Sequence, residues 1–376
     1  MLEYILICIL AIGLIYETIC FLVLRLEIKK YSNKKLKYKF FPKVTILKPV
    51  KGIDDNFENN IRSYLELEYP NFDVIFGLHS VNDPAYSVIN KLVNEYPNVT
   101  TRIVVNEKDI GLNPKVNNLN NMYPYASGEI IFISDSNTCV EKDFLTKIVQ
   151  EFTDEKLGLV TATIRGERAR NLTALMENIH LNTFVASIVH AASYVANVQI
   201  VIGKSILIRK EVLDKIGGLF AFRNYLAEDH IMGLKVKEIG YKVKIVPLII
   251  KNVNENWTLQ NFLNRHKRWA IMRYKIEPLF YFLEALTNVS FFSLLLLIAK
   301  FDLWYISIIA ISIKMILDVL IAKTIKFNIK LAEAFIIPIK DILIALVWFT
   351  PLFHNRINWR NTKLKVNKLT YLSPVN

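Results

Sequence analysis

Cysteine is scarce in this chain, occurring at only three of 376 positions: Cys8, Cys20 and Cys139. Internal repeats and low-complexity tracts are absent from the sequence as well. The cysteines are scattered, and Cys8 and Cys20 lie in an apolar N-terminal stretch. Neither a disulfide framework nor a metal-ligand spacing can be built from them. We therefore expect the soluble part of the chain to work in a reducing compartment.

Acidic residues are nearly absent from two flanks that carry most of the positive charge. The formal net charge is +13. Residues 25–43 contain eight Lys or Arg and one Glu, and residues 354–376 contain five Lys or Arg and no acid. Both flanks adjoin apolar segments, as basic residues beside a membrane do. A nucleic-acid-binding face is the less favoured alternative, so we expect no nucleic-acid partner.

The apolar N-terminal run lacks the features of a cleaved signal peptide. Leu2–Leu24 is mostly apolar and long enough to cross a bilayer. It has neither the basic start nor the small-residue cleavage site of a secretory signal. We predict that residues 1–24 form a retained transmembrane anchor and residues 25–43 a basic juxtamembrane linker. By the positive-inside rule, the domain that follows is expected on the cytoplasmic side.

Residues 44–275 alternate short β-rich runs with amphipathic helical patterns. The strand candidates are Val44–Leu47, Val74–Leu78, Arg102–Val105, Ile130–Ile133 and Leu157–Ile164. Such alternation predicts a mainly parallel sheet covered on both faces by helices. Ligands of these sheets bind beyond the carboxyl ends of the strands. We therefore expect a cytoplasmic α/β catalytic domain over residues 44–275.

Residues 276–353 change in character and become strongly apolar. The apolar segments are Leu279–Ala299, Leu303–Ala322 and Leu331–Phe353. The third contains Pro338, Lys340 and Asp341, and charges are costly at the middle of a bilayer. Three full crossings would leave the basic tail, residues 354–376, on the outer side, against its charge. Either the third segment is re-entrant and broken at Pro338, or the first inserts only partly. We favour a re-entrant or interfacial third segment and a cytoplasmic tail.

Three aspartates have settings that suggest ligand binding. Asp83 and Asp135 each follow a strand candidate, and Asp229 follows a Gly-Gly turn. A carboxylate at the end of a buried parallel strand is well placed for a divalent cation shared with a diphosphate. Taken singly, each aspartate is more often a helix N-cap or turn residue.

Two further motifs carry basic residues. In Arg265-His266-Lys267-Arg268-Trp269, the guanidinium groups suit a diphosphate because they donate paired hydrogen bonds. A juxtamembrane basic cluster is the ordinary alternative for this motif. Gly111–Leu119 combines Gly, Pro, Lys and three Asn where a loop enters a helix. Those groups can hold an anionic ligand or serve as turn residues.

The order of these motifs resembles that of a known family. The series is Lys48–Gly52, Asn82–Pro84, Gly111–Leu119, Ser134–Asn137, Ala227–Asp229 and Arg265–Trp269. It resembles the inverting GT-A glycosyltransferases with three aspartates and a (Q/R)xxRW motif. More narrowly, it is similar to ceramide glucosyltransferases and their bacterial, hopanoid-associated relatives. The resemblance covers residues 44–275 and implies a GT-A nucleotide-diphospho-sugar transferase domain between membrane segments.

The resemblance also implies roles for individual residues. Asp83 would contact the uracil or ribose, Asp135 would coordinate Mg²⁺ or Mn²⁺, and Asp229 would be the general base. The remaining implied residues are Pro49, Lys51, Gly52 and Lys115 around the nucleotide, and Arg265, Arg268 and Trp269 near the diphosphate and acceptor. The metal motif departs from Asp-x-Asp, because Asn137 stands at the second position. Asn137 could still offer a carbonyl oxygen.

The expected activity is transfer of a hexose from a UDP-sugar to a lipid such as ceramide, with inversion. The expected location is a bacterial inner membrane, or a Golgi-type membrane if the source is eukaryotic. Diacylglycerol, a phospholipid or polyprenyl phosphate remain open as acceptors. A processive polysaccharide synthase is less favoured because three or four apolar segments are few for a polymer channel. A transporter or scaffold would need paired charges in repeated spans, and only Lys340 and Asp341 qualify.

Overall fold

The computed structural model of the protein describes residues 1–34, 39–198, 200–359 and 362–375. The chain divides into two compact units. The sheet unit comprises Tyr31–Arg168 and Asn197–Glu255, and the helical unit comprises Met1–Lys30, Ala169–Ala196 and Asn256–Asn376. The single catalytic segment expected at 44–275 is thus divided between the two units. Residues 35–38 of the expected linker and 360, 361 and 376 of the expected tail lie outside the described residues.

Strands and helices alternate through the first two thirds of the chain. The strands are β1 Val44–Pro49, β2 Phe72–Leu78, β3 Thr100–Val105, β4 Ile130–Ile133, β5 Thr138–Cys139, β6 Leu157–Glu167, β7 Ile206–Arg209, β8 Lys242–Val253, β9 Arg356–Trp359, β10 Thr362–Val366 and β11 Leu372–Pro374. The helices are α1 Leu2–Ser32, α2 Phe57–Leu65, α3 Pro84–Glu95, α4 Pro114–Met122, α5 Phe144–Ile148, α6 Leu172–His180, α7 Ala186–Ala196, α8 Lys210–Lys215, α9 Glu228–Glu238, α10 Leu259–Ile276, α11 Pro278–Ala285, α12 Val289–Ala299, α13 Trp304–Thr324, α14 Leu331–Ala334, α15 Ile336–Trp348 and α16 Thr350–Phe353.

The sheet unit is built on eight strands in the order β3-β2-β1-β4-β7-β6-β8-β5. Strands β3, β2, β1 and β4 run parallel, while β7 pairs antiparallel with both β4 and β6. The expected mainly parallel sheet is therefore confirmed. The chain order reverses between β1 and β4, which is where open sheets of this kind bind ligands.

The predicted strands correspond to β1, β2, β3, β4 and β6, and β4 agrees at both ends. Strands β1 and β4 lie at the centre and are buried throughout, as their continuous apolar sequences require. Strand β8 is absent from the prediction, and it contains Pro247, a residue that is unusual in a central strand. The register of β8 against β6 shifts at this proline, between Val246 and Ile249.

Two helices of the sheet unit begin with the same type of N-cap, an Asp or Asn followed by a proline. Asp83 precedes Pro84 at the start of α3, and Asn113 precedes Pro114 at the start of α4. In each pair the first side chain accepts a hydrogen bond from a backbone N–H of the opening turn. The proline follows at a position where its missing N–H costs nothing. Because α3 follows β2 and α4 follows β3 in the chain, both helices start on the carboxyl side of the sheet.

Among the described residues, four helices are long and apolar enough to cross a membrane: Leu2–Ser32, Leu172–Ala196, Phe301–Thr324 and Leu331–Phe353. A bent pair, Pro278–Ala285 with Val289–Ala299, would make a fifth. The first helix is longer than predicted because it continues through the basic residues after Leu24. Leu172–Ala196 was not predicted as a span, and it includes a π-helical turn at Leu181–Val185. An α/β sheet in one unit and several apolar helices among the described residues confirm the expected fold class.

The sharp bend lies in the first C-terminal segment rather than the third. Helices α11 and α12 meet at 56°. The side chain of Asn288 accepts a hydrogen bond from Phe291 N and so opens α12 as a new helix. Pro338 instead lies in the first turn of α15, where a proline needs no hydrogen-bond partner for its nitrogen. Among the described residues, the first segment is therefore a broken span or a re-entrant loop, while Leu331–Phe353 is long and apolar enough for one crossing.

The charges of the apolar helices neutralise one another inside the helical unit. Lys314 Nζ lies 2.6 Å from Glu17 Oε1, 2.9 Å from Asp318 Oδ2 and 3.5 Å from Asp341 Oδ2. Lys340 Nζ lies 2.6 Å from the other oxygen of Asp341. The network joins α1, α13 and α15 through Lys314, which meets Glu17 of α1 and Asp341 of α15 as well as Asp318 of its own helix. Buried ions of this kind are tolerated because they are paired.

The basic tail forms a small antiparallel sheet in the order β11-β10-β9. One face contributes apolar side chains to the interior of the helical unit, namely those of Ile357, Leu364, Val366 and Leu372. The alternate positions Arg356, Lys363 and Lys365 are exposed. The expected tail is thus a folded element whose positive charge faces outward.

We predict that Lys314→Met destabilises the helical unit by about 3–5 kcal/mol, because it leaves buried carboxylates without their shared cation. Urea titration in mixed detergent micelles measures this change in the free energy of unfolding. Lys300→Met is the matched control, since Lys300 pairs with Asp302 at an exposed site. Equal stability of the two variants would contradict the structural role of the network.

Candidate active site

Two of the predicted nucleotide-site residues meet beyond the carboxyl ends of β1 and β2. The Asp83 carboxylate accepts hydrogen bonds from Gly52 N, at 2.9 and 3.1 Å for its two oxygens, and from Ala85 N at 2.9 Å. Asp83 is therefore an N-cap and also holds the loop after β1, which carries Lys51. Gly52 has a φ of 71°, a conformation that favours glycine. Pro49, at the end of β1, pairs with Gly77 on β2.

A buried lysine fixes the turn that follows β4. Lys48 is completely buried, and its Nζ donates to the backbone oxygen of Asp135 at 2.5 Å and to Thr138 Oγ1 at 3.3 Å. The same nitrogen lies 3.6 Å from the centre of the Tyr64 ring. Burial lowers the pKa of Lys48 well below its usual value, against the opposing effect of Asp135. Lys48 belongs to the quoted Lys48–Gly52 motif but was not predicted as a site residue.

Asp135 lies between two ammonium groups. Lys115 Nζ is 2.9 Å from its Oδ1, and Lys204 Nζ is 3.0 Å from its Oδ2. Lys204 also donates to Asn137 Oδ1 at 2.6 Å. Burial alone would raise the pKa of Asp135, but the two lysines outweigh it and hold that pKa well below its usual range. Asp135 is therefore a fixed negative charge at the carboxyl end of β4.

Lys115 connects the motif around Asn113 to the motif around Asp229. Its Nζ lies 3.1 Å from Glu228 Oε1 and donates to Gly203 O at 2.9 Å. Asn113 Nδ2 donates to the other oxygen of Glu228 at 3.2 Å. These contacts join the first turns of α4 and α9, which are more than 100 residues apart in the sequence. The tertiary structure thus combines two motifs that the sequence presents separately.

Asp229 is a partly buried carboxylate at the start of α9. Its Oδ1 accepts a hydrogen bond from His230 N at 2.8 Å. Its Oδ2 lies so close to Gly203 that a Cβ there would be 2.5 Å away. Burial and the neighbouring charge of Glu228 raise the pKa of Asp229 to about 7, with Lys115 opposing. A carboxylate with a pKa near neutrality is suited to accept a proton from a substrate.

The residues around Asp135 can contribute two oxygen-bearing side chains to a divalent cation. They are the Asp135 carboxylate and the Asn137 amide oxygen. Among the described residues, no group of three or more His, Cys, Asp or Glu side chains could hold a metal ion. Mg²⁺ is commonly held by one or two carboxylates together with phosphate oxygens and water. Each carboxylate oxygen has two lone pairs, so Asp135 can accept a cation beside a lysine. The donor set therefore fits a cation that a diphosphate helps to bind.

The Arg265–Trp269 motif lies on α10 in the helical unit, and a buried glutamate fixes its first two residues. Arg265 Nη1 lies 3.1 Å from Glu177 Oε1, and His266 Nε2 lies 3.1 Å from Glu177 Oε2. The Arg265 guanidinium also lies over the Trp269 ring, 4.4 Å from its centre. Glu177 thus neutralises Arg265. Arg268 is half-buried on the same helix.

Two residues of these clusters escaped the sequence analysis. Glu177 is a fully buried carboxylate in the apolar helix Leu172–Ala196, and an ionisable residue in such a helix is a recognisable signal. Lys204 lies between Gly203 and Ser205 and has no motif of its own in the sequence. Its contacts with Asp135 and Asn137 are revealed only by the folded chain.

The fold and the carboxyl-edge cluster define a glycosyltransferase of the GT-A type. A solved mannosyltransferase from Pyrobaculum calidifontis, in complex with GDP-Man and Mn²⁺, has a similar fold with a TM-score of 0.50. The comparison covers 93% of this chain and 99% of that one, at 17% sequence identity. At this identity, the likeness concerns the fold alone.

The chain belongs to glycosyl transferase family 21, whose model matches residues 5–371. It is 29% identical over 275 residues to ceramide glucosyltransferase 3 of Caenorhabditis elegans, covering 72% of this chain and 60% of the relative. It is 40% identical over 110 residues to a ceramide glucosyltransferase of Komagataella phaffii, covering 28% of this chain and 22% of the relative. The chain therefore spans about 60% of the length of the nematode relative. The resemblance seen in the ordered motifs is confirmed.

We predict that Glu177→Ala lowers the free energy of unfolding by about 3–5 kcal/mol, since it leaves the buried Arg265 without its carboxylate. Glu177→Gln should lower the free energy of unfolding by a smaller amount, because its amide oxygen still accepts a hydrogen bond. Urea titration in mixed micelles gives the comparison, and Asp302→Ala is the control at an exposed ion pair. A Glu177→Ala variant as stable as this control would show that the contact is dispensable.

Proposed function

We propose that this protein transfers a hexose from a UDP-sugar to the hydroxyl group of a membrane lipid, with inversion at the anomeric carbon. The observation that carries the proposal is the partly buried Asp229 carboxylate at the start of α9, whose pKa is raised to about 7. It follows Glu228, which pairs with Lys115, and Lys115 pairs with Asp135. Asp229, a base with a pKa near neutrality, is therefore linked through Glu228 to Lys115 and Asp135, which are charged groups suited to bind a diphosphate with its cation. Ceramide is the proposed acceptor, because relatives are named ceramide glucosyltransferases.

In the proposed reaction, Asp229 accepts the proton of the lipid hydroxyl as its oxygen attacks the anomeric carbon. The bond from that carbon to the diphosphate breaks on the opposite side, and the nucleoside diphosphate leaves. Lys115 keeps Glu228 and Asp135 in place during this step. A divalent cation, Mg²⁺ or Mn²⁺, would be held by Asp135 and Asn137 and would supply positive charge to the leaving diphosphate.

The other residues implied by the resemblance keep their proposed roles. Asp83, through Gly52, would shape the loop that carries Lys51 near the nucleotide. Arg265 and Arg268 would lie near the diphosphate and the acceptor, with Glu177 holding Arg265 in position. Trp269 would stack near the acceptor.

A lipid acceptor agrees with the apolar helices, which would let a hydrophobic substrate stay in the bilayer. The proposal that catalysis occurs on the cytoplasmic side rests on the basic residues of 25–43 and 354–376. Diacylglycerol, a phospholipid and polyprenyl phosphate are the alternative acceptors, and only the product distinguishes them.

The full chain, purified in lipid nanodiscs, tests this function directly. It is incubated with UDP-glucose, UDP-galactose or UDP-N-acetylglucosamine and with ceramide, diacylglycerol or phosphatidylethanolamine. We expect mass spectrometry to detect one added hexose per ceramide, and EDTA to reduce the yield at least tenfold. A polymeric product would instead identify a processive synthase. Absence of any glycosylated lipid would reject the proposal.

We predict that Asp229→Asn lowers the transfer rate by about 10²–10⁴-fold, the usual contribution of a general base. In the wild type, the rate should rise as the pH increases through about 7, because only deprotonated Asp229 accepts a proton. The variant should lose this dependence while binding UDP normally. Asp214→Asn, at an exposed pair with Lys210, serves as the control. A rate within threefold of the wild type would refute the base assignment.

A further inference from the structure

The tail sheet, formed by β9, β10 and β11, carries positive charge on its outward face without acidic partners. Its exposed cations are Arg356, Lys363 and Lys365, and the exposed Lys368 follows in the turn after β10. Residues 354–376 contain no Asp or Glu. In the part of the chain that the structure describes, none of these four cations forms an ion pair. Their charge is therefore available to an external partner.

The pairing of the strands concentrates this charge. Lys365 lies directly opposite Arg356 in the register of β9 and β10, and Lys363 lies two residues further along the same face. Like charges that face each other across two strands repel and destabilise the sheet. An anion bound beside these side chains would relieve the repulsion. The outward face therefore favours a negatively charged ligand.

The helix against which the tail sheet packs adds no acid to these surroundings. Helix α10 contacts β10 and the turn at Lys368–Thr370. Its sequence contains five Lys or Arg and neither Asp nor Glu. The positive charge of the tail sheet is therefore not offset by the helix that supports it.

The chain holds this face close to the boundary of the membrane. The apolar helix Leu331–Phe353 is long enough for one crossing, and β9 begins three residues after it, at Arg356. Three residues extend by at most about 10 Å. The polar layer on each side of a bilayer is roughly 5–7 Å thick. Arg356, and Lys365 opposite it, therefore lie within reach of the lipid headgroups.

The turn after β10 adds apolar side chains beside the charge. Leu369 and Thr370 have φ values of 51° and 62°, which are unusual for residues other than glycine. Leu369 is 41% exposed and follows the exposed Lys368. Tyr371 is 43% exposed and lies on the outward face, because the adjacent Leu372 points inward. Basic, aromatic and aliphatic groups together are typical of surfaces that enter the headgroup layer.

We propose that the outward face of the tail sheet binds the headgroups of anionic phospholipids in the membrane that the apolar helices span. The cations supply the attraction to the negative headgroups, and Leu369 and Tyr371 supply apolar contact beside them. The inference goes beyond the proposed function and is independent of the sugar donor and the lipid acceptor. It gives the tail sheet the role of fixing the helical unit to an anionic leaflet.

The test compares lipid binding by the full chain and by a triple variant, Arg356→Gln with Lys363→Gln and Lys365→Gln. Each protein is titrated in nonionic detergent with phosphatidylglycerol or phosphatidylcholine, and native mass spectrometry gives the dissociation constant of the first bound lipid. The wild type should bind phosphatidylglycerol about tenfold more tightly than phosphatidylcholine, and the triple variant should lose this preference. Added salt should reduce the preference of the wild type, because the cations are exposed.

A second triple variant, Lys91→Gln with Lys142→Gln and Lys215→Gln, is the matched control. It removes the same charge from exposed lysines of the sheet unit and should keep the lipid preference. Lys365→Glu decides the matter if the first triple variant fails to fold. It places opposite charges at the pair with Arg356, which stabilises the sheet, yet it should still reduce the preference. A merely structural role of Lys365 would leave the preference unchanged.

Several outcomes would overturn the inference. The wild type would bind the two lipids equally, or the first triple variant would retain the preference of the wild type. Loss of the preference in the control variant as well would show a response to net charge alone, which also overturns it. A single-stranded RNA that binds the wild type and displaces phosphatidylglycerol would instead identify a nucleic-acid-binding face. Because the experiment involves no sugar transfer, each of these results leaves the proposed function standing.

Discussion

The candidate active site in the sheet unit depends on the ion pairs of the Asp135 carboxylate. It follows the central strand β4, and it holds Lys115 from the start of α4 and Lys204 from the loop before β7. Through Lys115 it is linked to Glu228 and so to the helix that carries Asp229. Asp135 is partly buried, and such partners offset the cost of its desolvation. Its neutralisation therefore brings together three segments that are distant in the sequence.

The same cluster accounts for the contrast between two nearby carboxyl groups. Asp135 has an ammonium group on each oxygen, which keeps its pKa low. Asp229 is also partly buried, and it lies beside the negative Glu228; burial and this neighbouring charge keep its pKa high. Neighbouring carboxyl groups with opposed pKa shifts can take different roles, one as a fixed charge and one as a proton acceptor. In the proposed reaction, Asp135 is therefore the fixed charge and Asp229 the proton acceptor.

Buried ion pairs also organise the helical unit. Lys314 joins carboxylates from three helices, and Glu177 joins the first two residues of the Arg265–Trp269 motif. Inside apolar surroundings, a broken pair is far more costly than an intact one is stabilising. These pairs therefore determine which helices pack together and in what alignment, more than they increase the stability of the packing. Arg265 is consequently a packed residue whose charge is neutralised by Glu177.

The sequence by itself determined the features that depend on neighbouring residues. Apolar runs identified four of the five membrane candidates, strand patterns located β1 to β4 and β6, and the pairs Asp83-Pro84 and Asn113-Pro114 marked two helix starts. The ordered motifs also indicated the family. Only the tertiary structure decided that Lys204 reaches Asp135, 69 residues away, and that Glu177 reaches His266, 89 residues away. Those contacts depend on which segments the fold makes adjacent, and local periodicity and capping carry no such information.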